Sequence, residues 1–484
     1  MEEVDLSRQH PPTGAAASRL GSLADAAGSY VFDTYGSGES LQSFEATMAT
    51  FLGHAKACFF STGTAAQQAV LYAHATGVQP LAGRHPVVMV HPTSHLIFLD
   101  CLRDGPQQRE SFAAMAAANL PDFEVIPFGR MECEPTLKEV EAAFRCHEDA
   151  TGSLPAVLVI ELPQRMNGRR TMRYEDLLGV SQLCKRRGVK LHCDGARLWE
   201  VQPFYGVRSL QLCLQYHKRQ YPPAEHLPEV VTFRDLATLF DSVYVSFYKG
   251  VGAMSGAMLF GSEELVANAK VWGKRRGADV FSRGSVALDS EVRFRALYPE
   301  IGARIGDTQR PDDSASWTAL GTRSALQGVL SVERRLWVLR EYVIVVQQMA
   351  AEAKCDAIRF DPPVPQSAMV HCYLKGTAAL IDDCHARARK RSGVRLWNQL
   401  RGSGHEELPS AESGELERLC GQWSYFEWSM GAGNTPPWSD DMAVRAHAMA
   451  SSLDAVRRGW REFIGELVKS GAASTRAEKR QRDA

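Results

Sequence analysis

The sequence predicts an α/β protein, a large domain with a mostly parallel sheet followed by a smaller α+β domain. Three observations carry that expectation. First, short β-rich runs bounded by turn residues recur through the first two thirds: ACFFST (57–62), PVVMV (86–90), FEVIPF (123–128), VLVIEL (157–162), VKLHC (189–193), SVYVSF (242–247) and GAMLFG (256–261). Second, most are continuously apolar rather than alternating, the pattern of parallel strands covered on both faces. Third, segments of helical character lie between several of them. TAAQQAVLYAHATG ends in a glycine stop, and YEDLLGVSQLCKRRG begins acidic and ends basic before Gly188, which suits the helix dipole. Alternating strand and helix is the signature of a parallel sheet with crossover helices.

After about residue 320 the texture changes. GTRSALQGVLSVERRLWVLREYVIVVQQMAAEAK reads as one long helix, with its aromatic stripe RRLWVLREYVIVV packed in a core. Separated strands follow, MVHCYLKG (369–376) and SYFEWSMG (424–431), then a final helix near 439–468. The expected organisation is an N-terminal arm over 1–29, the large domain over 30–320, the small domain over 321–468 and a disordered, polar tail over 469–484. Stretches about 103–120, 208–232 and 302–316 read as insertions or long loops.

Composition narrows the class. Of 484 residues, 45% are hydrophobic and 23% charged, ample for the core of a soluble enzyme. A formal net charge of −1 supplies no global attraction for nucleic acid or an anionic membrane. No run approaches the roughly 20 apolar residues that span a bilayer. The polar N-terminus MEEVDLSRQHPPTG lacks the layout of a secretion signal. The 11 cysteines are odd in number and form no C-x-x-C pair, which suits reduced thiols in the cytoplasm.

Lysine is almost never fully buried unless it is paired or chemically used. Yet Lys249 ends the apolar run SVYVSF and heads a chain of glycines, alanines and methionines. In an open α/β sheet, ligands sit outside the carboxyl ends of strands, and other strand ends here suit the same ligand. FFSTGTAAQQ runs through Gly63 and Thr64 into a helix, an anion site made of backbone N–H groups and hydroxyls. VKLHCDGARLWE ends in Asp194, with Arg197 three residues on; the alternative is a structural pair or helix cap formed by these two. VVMVHPTSHL delivers His95. An anion cradle, a carboxylate, an imidazole and a lysine together fit pyridoxal phosphate. The lysine forms a Schiff base, the carboxylate keeps the ring nitrogen protonated, and the imidazole lies on the ring face.

At these residues the chain resembles the threonine aldolase and aromatic amino acid β-eliminating lyase family of fold-type I pyridoxal-phosphate enzymes. DGARLWE, FDSVYVSFYKGVG, IELPQRMNG and DTYGSGESLQSFEATMATFLG carry the resemblance, which covers roughly residues 30–300 strongly and the small domain weakly. It implies that Lys249 is the Schiff-base lysine and Asp194 the partner of the pyridine nitrogen. Arg197 would bind the substrate carboxylate or the cofactor 3′-oxygen, Gly63 and Thr64 the phosphate, and His95 would stack on the ring. The family builds its sites between subunits, so the resemblance implies a homodimer or homotetramer. The chain departs from the better-characterised aldolases at Gln164 and Arg165, where they carry a histidine, and in SYFEWSMG, which offers Glu427 and Trp428 where they supply an arginine.

Other motifs read more plainly. His91 and His95 in HPTSH have metal-pair spacing, but Pro92 follows His91 and no third ligand accompanies them, so no metal is expected. GSGES lacks the strand and lysine of a nucleotide loop. KRRG at 185–188 reads as a helix C-terminus, whereas KRRG at 274–277 could also reach a phosphate. The function expected is retro-aldol cleavage of a β-hydroxy-α-amino acid, threonine-like, to glycine and an aldehyde, with His95 or neighbouring His91 as base. Racemisation or β-elimination with Lys249 as base is the alternative; a non-catalytic paralogue is opposed by the intact Lys249, Asp194 and Arg197.

Overall fold

In a computed structural model the runs resolve into two compact units, Gly14–Leu320 and Met1–Thr13 with Gly321–Ala484. The structure describes residues 4–6, 20–21, 23–24, 26–75, 86–98, 123–131, 133–201, 204–205, 231–298, 332–400, 423–430 and 442–472. The expected insertions at 103–120 and 302–316, nearly all of that at 208–232, and the tail beyond 472 lie outside the described residues.

The chain opens with β1 (Val4–Asp5), α1 (Glu39–Leu52), β2 (Lys56–Phe60), α2 (Gly63–Ala75), β3 (Val87–Val90), the short α3 (His95–Phe98) and β4 (Glu124–Pro127). It continues with α4 (Leu137–Thr151), β5 (Val157–Glu161), α5 (Tyr174–Arg187), β6 (Lys190–Gly195), α6 (Leu198–Val201) and α7 (Phe233–Ala237). Then come β7 (Ser242–Ser246), β8 (Ala257–Gly261), α8 (Glu263–Arg275) and α9 (Gly284–Leu297). Helix limits follow local chemistry. Thr136 and Glu139 close a capping box at the start of α4, and Gly188, at φ 71°, ends α5 after its basic last turn.

Seven strands form the large unit's sheet in the order β2-β8-β7-β6-β5-β3-β4. β8 pairs antiparallel with both β2 and β7, and every other pairing is parallel. Six strands therefore point one way, and the chain leaves β2, β3, β5, β6 and β7 at a single edge. Strands β3, β5 and β7 are buried along their whole length, which is why their sequences are continuously apolar. On one face α2 packs Ala66, Ala69 and Val70 against Val88, Val157, Val159 and Leu259. Each such buried Val or Leu is worth about 1.5–3 kcal/mol relative to exposure.

A polar chain crosses this core. His192 Nε2 donates to Gln67 Oε1 at 2.7 Å, which leaves Nδ1 to accept from the Ser242 hydroxyl at 2.7 Å. The same hydroxyl oxygen accepts from His74 Nε2 at 2.7 Å. Both rings are buried, and burial lowers the pKa of each, His74 to about 4 and His192 well below its ordinary value. Neutral rings thus tie α2 to β6 and β7 without a buried charge. In the second KRRG, Arg275 lies over the Trp272 ring and Arg276 over the Tyr72 ring, at 4.7 and 4.4 Å from the centroids. Both guanidinium groups cover aromatic faces of their own chain.

The second unit contains α10 (Val332–Glu352), β9 (Ile358–Asp361), β10 (Met369–Lys375), α11 (Ala378–Ser392), β11 (Val394–Arg395), β12 (Trp423–Ser429) and α12 (Met442–Lys469). Its antiparallel sheet has the order β12-β10-β9. The core gathers Tyr342, Trp428, Trp460 and Phe426, so the α10 stripe packs inward as its period suggests, except for Trp337, which is exposed. β1 pairs parallel with β11. The stretch 1–29 is therefore divided: its first 13 residues belong to the second unit, where Val4 and Leu6 donate to the carbonyls of Gly393 and Arg395.

The buried imidazoles make stability depend on pH. His74 titrates near 4 in the fold and near 6.5 when unfolded, so between those values the unfolded chain binds more protons. The contribution is complete above pH 6.5 and is lost as pH falls toward 4, worth about 3 kcal/mol over the interval. His74→Gln should flatten the fall in stability across that window. Denaturant midpoints measured from pH 7 to pH 4 check this, and an unchanged slope would contradict it.

Candidate active site

Parallel pairing sets Glu161 of β5, Asp194 of β6 and Tyr244 of β7 in one register row at the carboxyl edge. Neighbouring backbones lie about 4.8 Å apart, and row members point to the same face. That face is the one α2 covers, because His192, two residues before Asp194, reaches Gln67 of α2. Asp194 is 1% exposed and accepts the Ala196 N–H at 3.1 Å. Glu161, also buried, accepts the His95 N–H on Oε2 at 3.1 Å and the Arg165 N–H on Oε1 at 2.9 Å. One carboxylate therefore holds the start of α3 and the loop after β5.

The turn after β2 is built around Tyr244. A Cβ on Gly63 would lie 1.9 Å from the Tyr244 hydroxyl, so only glycine fits where α2 begins. Thr62 caps this end, its Oγ1 accepting the Ala65 N–H, and Thr64 is exposed beside it. Ser246, two residues beyond Tyr244 and on the same face, is wholly buried, and its hydroxyl has no hydrogen-bond partner among the described residues. Lys249 follows in a turn and is half-buried, its Nζ 5.4 Å from the Tyr248 ring centroid. The loop closes through the Phe247 N–H to Gly256 carbonyl bond, and Ser255 anchors it to the Ser61 carbonyl.

Arg197 makes its ion pair with Glu200, three residues on, through Nη1 at 3.0 Å; the pairing with Asp194 that the sequence left open gives way to it. Glu200 also takes Arg169 Nη1 at 2.5 Å. His91, expected as a possible base, is instead structural. Its Nε2 contacts the carbonyls of Arg130 and Cys133, and its Nδ1 contacts Thr93 Oγ1, in a buried position. A ring engaged at both nitrogens has no site for a substrate proton. His95 is half-buried at the head of α3, on the same edge. No group of three metal-ligating side chains occurs among the described residues.

The topology thus brings Gly63, Thr64, His95, Asp194, Arg197 and Lys249 to one edge of one sheet, delivered by four strands. Reading the sequence missed Glu161, Tyr244, Ser246, Glu200 and Arg169. A glutamate inside VLVIEL and a tyrosine inside SVYVSF were the available signals, since polar groups in fully buried strands need partners. Arg169 had no local signal.

Comparisons with known proteins follow the same lines. The pattern of the family described as Beta-eliminating lyase matches residues 22–392. Low-specificity L-threonine aldolase 1 of Arabidopsis thaliana is 28% identical over 166 residues, 34% of this chain and 40% of that protein. An aldolase of Penicillium aethiopicum is 26% identical over 279 residues, 58% of this chain and 60% of its own. The chain spans about half the length of the curated relatives it matches. A solved structure from Listeria monocytogenes EGD-E, assigned as an L-allo-threonine aldolase, superposes with a TM-score of 0.59 at 24% identity, over 95% of this chain and 96% of that one. At that identity the likeness speaks for the fold.

Gly63→Ala tests the packing at the head of α2. Its methyl must displace Tyr244, an overpacking that should cost about 1–3 kcal/mol. Tyr244→Phe in the same chain should recover part of the loss by removing the nearest atom. Thermal denaturation of the four variants checks this; no recovery in the double variant would contradict it.

Proposed function

Because the chain belongs to the β-eliminating lyase family of fold-type I pyridoxal-phosphate enzymes, we propose that it cleaves the Cα–Cβ bond of a threonine-like β-hydroxy-α-amino acid to glycine and an aldehyde. The observation that carries this reading is the convergence of a lysine, a buried carboxylate, an imidazole and a helix N-terminus on one sheet edge.

The cofactor is pyridoxal phosphate, and the residues present fit it. The unpartnered Ser246 hydroxyl lies on the face where Tyr244 meets the head of α2, and such a donor suits a phosphate already favoured by a helix N-terminus. Gly63 and Thr64 would hold that phosphate, Asp194 the pyridine nitrogen, Lys249 the aldehyde carbon and His95 one ring face. When bound, the cofactor supplies an electron sink for bonds broken at the substrate Cα. Asp194 would keep a proton on the ring nitrogen. Arg197 would bind the substrate carboxylate and so orient the substrate. His95 would take the β-hydroxyl proton, a step worth about 10²–10⁴-fold in rate.

Assembly as a homodimer or homotetramer belongs to the same reading. Val31, Phe32, Tyr35 and Phe281 are more than half exposed, and Tyr35 packs edge-on against Phe281, an apolar surface suited to a second copy. A cytoplasmic setting is supported by the eight cysteines among the described residues, which form no disulfide. No helix of the described residues is long and apolar enough to cross a membrane.

Product analysis on a panel of β-hydroxy amino acids, scoring glycine by mass spectrometry, tests the reaction. Asp194→Asn should retain cofactor and lose most turnover, because an amide cannot hold the ring nitrogen protonated. His95→Phe should retain cofactor while glycine release falls about 10²–10⁴-fold. Exchange at Cα in deuterated water without any glycine, in the wild type as well, would replace cleavage by the racemase-like alternative. Ammonia and a keto acid as products would select β-elimination.

A further inference from the structure

Glu200 is where three segments of the site meet. Its Oε1 accepts from Arg197 Nη1 at 3.0 Å and its Oε2 from Arg169 Nη1 at 2.5 Å. A methyl built on Gly250, the residue after Lys249, would lie 2.9 Å from Glu200 Cγ and 3.1 Å from Oε1. The oxygen that holds Arg197 is therefore the one on which the lysine turn packs. No positive φ demands glycine at 250; the close approach does.

Charge makes the arrangement specific. Glu200 is 5% exposed and Arg169 fully buried. A lone buried carboxylate beside Arg197 would offset its charge and weaken its pull on an anionic ligand. Arg169 also pairs with Glu200, so two guanidinium groups share this carboxylate, and Arg197 is the more exposed of the two. Arg197 Nε–H is buried and has no hydrogen-bond partner among the described residues, so the guanidinium is held by one corner with further donors to offer. Arg169 adopts φ 62°, left-handed backbone that is unfavourable for a non-glycine residue. Hydrogen bonds from Gln164 N–H to Arg170 carbonyl and from Arg169 N–H to Gln164 carbonyl hold that turn.

We propose that Glu200 is a positioning residue. Counter-charged by Arg169, it aims Arg197 at the carboxylate of an amino-acid ligand and, through Gly250, couples that aim to the turn carrying Lys249. The proposal rests on reading this edge as a cofactor and amino-acid site, and it names what holds Arg197 there.

Glycine, titrated into the holoenzyme and followed by the change in cofactor absorbance, is the probe. Wild type, Glu200→Gln, Glu200→Ala, Gly250→Ala and the double variant Glu200→Ala/Gly250→Ala are compared. Cofactor retained after gel filtration and the denaturation midpoint of the cofactor-free protein are measured beside them. Gly250→Ala should weaken glycine about 10-fold or more, yet add less than about 2-fold in the Glu200→Ala background, because its methyl then has nothing to displace. Glu200→Gln should weaken glycine about 10-fold or more while retaining cofactor, since an amide nitrogen opposes an arginine donor. If Glu200→Ala does not fold, Glu200→Gln and Gly250→Ala carry the test. Independent effects of the two sites, or a lowered midpoint with glycine affinity unchanged, would overturn the proposal alone. A wild type that retains no cofactor would overturn the underlying reading and the proposal with it.

Discussion

The ladder between β5, β6 and β7 is the constraint on which the rest of the site depends. Parallel hydrogen bonding sets Glu161, Asp194 and Tyr244 in one row, and a slip of one residue in any of these strands would turn its member of the row to the opposite face. Everything else is placed relative to that row. Tyr244 dictates glycine at the head of α2, Glu161 fixes the backbone of His95, and β7 carries the chain three residues further to Lys249. The neutral chain of Gln67, His192, Ser242 and His74 ties α2 to the same two strands from beneath.

Two buried carboxylates side by side are costly unless their oxygens are engaged. Glu161 meets this with two backbone N–H groups and Asp194 with at least one. Glu200, nearby in sequence, does so with two guanidinium groups. The edge therefore holds a distribution of charge set by hydrogen bonding before any ligand arrives. Such preorganisation is what a site needs if its groups are to act without rearranging.

Much of this was legible in the sequence for physical reasons. Continuously apolar runs marked parallel strands, because burial on both faces leaves no polar alternation to read. Lys249 and Asp194 stood out because ionisable groups ending such runs need a use or a partner. What stayed hidden depends on pairing between distant segments. Nothing local in NGRR signals that Arg169 meets Glu200 across 31 residues. The engagement of His91 by the carbonyls of Arg130 and Cys133, 39 and 42 residues away, was equally invisible, so two histidines in HPTSH looked alike until the fold separated them. The N-terminal stretch misled because two residues, Val4 and Asp5, have too little pattern to announce a strand that pairs with Val394 and Arg395.

We propose Lys249 as the covalent anchor of pyridoxal phosphate at this edge. Borohydride reduction of the holoenzyme, followed by proteolysis and mass spectrometry, tests it directly. A single pyridoxyl-modified peptide carrying the mass increment on Lys249 is expected. The increment on any other lysine, or on none, would contradict it.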